Sequence, residues 1–149
     1  MPGCPDYQKS KLYRWEQTHV NPVDRKRVPY DNVQNVINHV WQEMGLLYPP
    51  RVQPMHVNVT RWAGSANRLV VNIPEHGATT VTILHELAHS MTMDLDGAGF
   101  QHGPGFVGVF MRMLDRFIPG LNLPVLMFTA NEMGVKFNIT QTPTILDQD

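Results

Sequence analysis

The chain has 149 residues, 42% hydrophobic and 17% charged, a composition that builds one globular domain and leaves little room for a second core. Its formal charge of −1 excludes a uniformly basic nucleic-acid coat, and its single cysteine, Cys4, excludes an internal disulfide framework and any multi-cysteine zinc ribbon. No apolar run reaches the roughly 18–20 residues of a membrane span, and the opening MPGCPDYQKSKLYRWEQ has no apolar leader, so a cytoplasmic protein with no membrane partner is expected.

In chain order, the first segment stands out by charge. The first 30 residues hold six of the twelve basic residues (Lys9, Lys11, Arg14, Arg25, Lys26 and Arg27) and three acids, whereas the remainder is net acidic. Tyr7, Tyr13, Trp15 and Tyr30 are interspersed among these cations, a mixture that suits DNA as a partner. The same pattern also describes an arm whose aromatics pack on the domain while its charges face water. Residues 1–29 are therefore read as a basic, aromatic arm and residues 30–149 as the folded domain.

A helix is predicted over residues 31–44, capped by Asp31, because Val33, Val36, Ile37, Val40, Trp41 and Met44 recur at helical spacing before Gly45. Residues 55–60 alternate apolar and polar as a half-buried strand does, 61–67 read as a turn, and 68–73 read as a second strand closed by Pro74. A second helix is predicted over 79–95, then a glycine-rich loop over 97–103. A third helix follows over 104–118, with Pro104 in the first-turn position where its missing N–H costs nothing. Its apolar face is Phe106, Val109, Phe110, Met113, Leu114 and Phe117. Beyond Gly120 the expectation is a loop, a helical turn near 130–133 and a strand over 135–139. Helices and strands alternate irregularly, so the fold class is α+β.

The chemistry concentrates in His85-Glu86-Leu87-Ala88-His89, inside the second predicted helix. Residues four apart share a helix face, so both imidazoles can reach one metal ion. Glu86 projects about 100° round the helix from His85, beside the metal, where it can take a proton from the attacking water. The neighbours Ile83, Leu84, Leu87 and Ala88 are apolar, so a polar trio here is costly without a purpose. Zinc (Zn2+) is the default cofactor for such ligands.

A hydrolytic zinc needs a third protein ligand and an open position. His102, thirteen residues after His89 and just before the third helix, is the first choice. The position six residues after His89 is Leu95, which excludes the metzincin arrangement. Asp94 and Asp96 are read as caps, as partners of an arginine or as carboxylates that orient a ligand histidine. Asn131-Glu132 resembles the pair that supplies a glutamate ligand in thermolysin-like enzymes, and Glu132 is the rival third ligand. His19, His39, His56 and His76 lack comparable spacing, although His76 is close enough in sequence to line a cleft.

His85-Glu-Leu-Ala-His89, twelve intervening residues, then His102-Gly103-Pro104-Gly105-Phe106 resembles the SprT-like zinc metallopeptidases, the group that includes Spartan. The likeness covers roughly residues 30–118. It implies a zincin-like catalytic domain with a small sheet on the active-site helix. By the same likeness His85, His89 and His102 are zinc ligands and Glu86 the general base. Many members append a cysteine zinc ribbon, which this chain cannot build. The expected function is a zinc metalloendopeptidase acting on protein or peptide substrates, including DNA-associated proteins, with the substrate backbone paired to strand 68–73. Asn67, His76 and the tyrosines are the candidates for stabilising the oxyanion. The alternative is a non-proteolytic zinc-binding or assembly protein that retains the fold.

Overall fold

The computed structural model describes residues 8–55, 64–93 and 101–143. Leu12 and Trp15, three residues apart, are fully buried and draw the first helix, α1 (Lys9–Trp15), onto the core. A wider π-helical stretch (Glu16–Val20) continues it, burying Glu16 and Val20, and a short 3-10 turn follows at Asn21–Val23. The described part of the basic segment is thus fastened to the domain. The Trp15 indole N–H donates to Thr129 Oγ1 at 2.9 Å, far along the chain. Of the interspersed aromatics, Trp15 is buried, Tyr30 packs against the core and Tyr7 lies outside the described residues.

Strand β1 (Arg27–Val28) pairs antiparallel with β5 (Ala78–Thr79). Gly77 makes that pairing possible: its φ is +89°, and a Cβ there would collide with the carbonyl of Val28. Helix α2 (Tyr30–Glu43) buries Val33, Ile37, Val40 and Trp41 as the periodicity predicts. Its N-cap is Pro29 rather than Asp31, which instead lies in the first turn and faces the positive end of the helix dipole.

The main sheet has the order β2-β4-β3. Strand β2 (Arg51–Pro54) runs parallel to β4 (Val70–Ile73), and β3 (Ser65–Ala66) runs antiparallel to β4 on its other side. Two expectations change here. The predicted strand over 68–73 is shorter and central, because Asn67 Oδ1 accepts the N–H groups of Leu69 and Val70 and holds a turn just before it. The segment 61–67, read as turn, contributes β3. Residues 56–60 of the other predicted strand lie outside the described residues.

Helix α3 (Thr80–Met91) runs through the centre, with nine of its twelve residues buried, and starts where Thr79 Oγ1 accepts the Thr82 N–H at 3.1 Å. Helix α4 (Pro104–Phe117) packs on it and is buried almost all round, more than its predicted single face. The far side of α4 is covered by α5 (Leu123–Glu132) and by the chain that follows. Helix α5 replaces the single turn expected near 130–133. Asn122 caps it and Pro124 fits its first turn, but apolar residues at 123 and 125–128 surround the axis and hide the helical period.

The strand expected over 135–139 does not form, since the segment has no strand partner among the described residues. It lies instead on α4, where Asn138 N–H donates to Pro104 O at 2.8 Å. A Cβ at Gly108 would fall on the Asn138 carbonyl, so only glycine admits this approach. The result is an α+β fold. Among the described residues no helix is long and apolar enough to cross a membrane.

Candidate metal centre

Helix α3 presents His85 and His89 one turn apart on the face that meets α4, and the turn before α4 brings His102 to them. Their ligand atoms all lie within 4.8 Å of one another, and His89 Nε2 stands 3.2 Å from His102 Nε2. Two nitrogens bound at about 2.0–2.1 Å around a tetrahedral ion stand roughly 3.3 Å apart, so the donor set fits one metal. The cluster can hold a metal ion.

Phe106 explains why the third histidine and the aromatic are spaced as they are. Its ring stacks on His89 at 4.3 Å and 27°, and packs edgewise on His102 at 5.2 Å. Gly103 and Pro104 turn the chain into α4 between His102 and Phe106, so one helix start sets both the ligand and its apolar backing. Phe110, one turn further, meets the His85 ring at 5.3 Å. Each such buried aromatic contributes about 1.5–3 kcal/mol by leaving water, and this packing fixes the imidazole planes.

The sequence reading missed Glu16. Its Oε1 accepts a hydrogen bond from His85 Nδ1–H at 2.6 Å, which leaves Nε2 as the ligand atom. Glu16 is only 6% exposed. An unpaired buried carboxylate costs several kcal/mol, so its place in the inner face of the first helix makes sense only with such a partner. The signal was available: Leu12, Trp15, Glu16 and Val20 follow one helical stripe, with a carboxylate where an apolar residue belongs. Asp94 and Asp96, also expected to cap or orient here, lie outside the described residues. The Gln8 side-chain amide holds the third ligand's backbone, donating to His102 O at 2.6 Å and to Lys136 O at 3.0 Å.

Burial works against a charge on His85, but the carboxylate and hydrogen bond of Glu16, with Glu86 nearby, outweigh it and lift its pKa to about 8. That proton must leave when a metal binds. His89 is pushed down to about 2 by burial and by the other two histidines, so its lone pair is available at any ordinary pH. Burial raises Glu86 to about 7, opposed by His85 and aided by Glu16. A dication beside it favours the carboxylate.

The histidines floor a cleft of about 560 Å³ between α1 and β3. Glu86 opens into it against Gly64, where a Cβ would lie 3.1 Å from Glu86 Cγ. Asn67 N–H bonds to Val70 O, so by the alternation of an antiparallel ladder the backbone groups of Ala66 point away from β4. Strand β4 is paired on both sides and cannot receive a substrate strand; among the described residues β3 lies at the sheet's end.

Other expected site residues do not join. Glu132 is exposed and is not part of the histidine cluster. His76 is exposed in the Pro74–Gly77 turn and does not line the cleft, Asn67 is engaged in its own turn, and His39 packs on Phe117 outside it. His56 lies outside the described residues. In comparisons with known proteins, no family model, characterised protein or solved structure matches the chain.

Glu16→Gln keeps the size of the side chain and removes its charge. Zinc affinity measured by chelator competition above pH 8, where the His85 proton no longer competes, is expected to fall about 10–100-fold. Unchanged affinity would mean that the Glu16–His85 bond does not orient the ligand.

Proposed function

We propose that the protein is a zinc-dependent metallopeptidase of the SprT-like, zincin kind that hydrolyses peptide bonds in protein substrates. One observation carries this: a buried carboxylate, Glu86, shares an open cleft with three converging histidines. A metal-binding or assembly protein needs the histidines but has no use for Glu86 in a costly buried position.

His85, His89 and His102 would hold the ion, which supplies Lewis acidity to the scissile carbonyl and to the attacking water. An extended substrate pairs with the edge of β3 that is unpaired among the described residues, through Ala66, which lays its backbone along the cleft. Glu86 accepts the water's proton and returns it to the leaving amine. Apolar contacts from Phe106 and Phe110 exclude water behind the ligands.

DNA-bound proteins are the substrate class suggested by the likeness to SprT-like enzymes and by Lys9, Lys11 and Arg14, exposed on α1, of which Lys9 lines the cleft. Trp15 is buried and does not offer its ring to bases, whereas the exposed cations suit contacts to phosphates.

Zinc-loaded protein is expected to cleave an unfolded protein such as casein, with or without single-stranded DNA. A chelator should abolish cleavage and added zinc restore it. Zinc-loaded protein that binds one equivalent yet cuts nothing in either condition supports the metal-binding reading instead.

A further inference from the structure

The Tyr13 hydroxyl ends 3.5 Å from His102 Nε2. Its ring stands edge-on to His102, with centroids 5.4 Å apart at 76°, and 6.0 Å from the His85 ring. Tyr13 lines the cleft and is 38% exposed, so a molecule bound there can reach the phenol. It precedes Glu16 by three residues, so α1 and its π-helical continuation together anchor His85 and bring a hydroxyl to His102 Nε2.

Peptide hydrolysis builds negative charge on the carbonyl oxygen, and a preorganised donor aimed at that oxygen lowers the barrier. Among the described residues the other candidates for this donor are placed elsewhere: Asn67 Oδ1 is committed to its turn, and His76, Tyr30 and Tyr48 do not line the cleft. Glu86 approaches the histidines beside Gly64 and β3, whereas Tyr13 approaches from α1. A base and an electrophile acting on one carbonyl need such separate approaches.

We propose that the Tyr13 hydroxyl donates a hydrogen bond to the scissile carbonyl oxygen as charge develops there. The phenol keeps its proton throughout, and no bond to it forms or breaks. This rests on the peptidase reading and adds the electrophilic partner that Glu86 requires.

Tyr13→Phe removes the hydroxyl and keeps the ring. Zinc content and thermal stability should match wild type, and kcat on a cleaved peptide should fall about 10²–10³-fold with little change in KM. A phosphinic peptide, which copies the tetrahedral oxyanion of a bond the wild type cuts, should bind the variant more weakly by a similar factor; calorimetry reads this without turnover. A packing role would leave the phosphinate affinity untouched. Unchanged kcat and phosphinate affinity beside an active wild type overturn the Tyr13 assignment alone. Loss of zinc from Tyr13→Phe overturns it by making the phenol a ligand. A zinc-loaded wild type that neither cleaves nor binds phosphinic peptides overturns the peptidase reading and this assignment together.

Discussion

Glu86→Gln is expected to hold zinc like the wild type and to lose peptide cleavage by about 10²–10⁴-fold, the usual contribution of a general base. The substitution keeps the volume beside Gly64, where a Cβ would stand 3.1 Å from Glu86 Cγ, so the cleft wall stays in place. Burial already raises the Glu86 pKa to about 7, which shows that the ionised form is held at a cost. A neutral amide escapes that cost, and the variant should melt at or slightly above the wild-type temperature. Activity, metal content and melting temperature thus move apart: the first collapses while the others hold. Equal cleavage by both proteins would place the activity in another residue or a contaminant.

His102→Ala should strip the metal. Its imidazole is one of the three donors that cluster among the described residues, and its Nε2 sits at a tetrahedral spacing from His89. The loss should therefore exceed the 10–100-fold expected when an orienting partner such as Glu16 is removed. His85 and His89 alone present two nitrogens one helical turn apart, too few to close a structural or hydrolytic zinc shell. Glu132→Ala is the control: that carboxylate is exposed and outside the cluster, so zinc content should not change. Metal analysis of the two dialysed variants distinguishes them, and zinc lost from Glu132→Ala but kept in His102→Ala would replace the ligand set.

The three clustered histidines were legible in the sequence because each rests on local geometry. His85 and His89 need only the helical repeat, and His102 needs only a short turn and a proline-started helix. Glu16 stands out in the sequence as a carboxylate on an apolar stripe and Tyr13 as one of several candidate tyrosines, but their partners do not, because Glu16 meets His85 across 69 positions and Tyr13 meets His102 across 89. No spacing rule spans such distances. Periodicity misled where burial is two-sided: α5 has apolar residues all round, and residues 135–139 alternate in burial while lying on a helix rather than in a sheet. Strand β4 read as an edge because one strand's sequence does not reveal its neighbours on both sides.

The docking of the first helix bears on how the molecule is made. Its contacts close loops of 69, 94 and 114 residues, from Glu16 to His85, Gln8 to His102 and Trp15 to Thr129. Loops of that size form late, because their closure entropy must be met before the contacts return anything. Helices α3 and α4, with contacts close in sequence, assemble ahead of them. During translation the early residues wait for Thr129 to leave the ribosome before Trp15 finds its place. Until then His85 lacks its carboxylate, His102 lacks its backbone clamp and the cleft has no α1 wall. A nascent chain therefore carries the histidines of this centre long before it carries the centre itself.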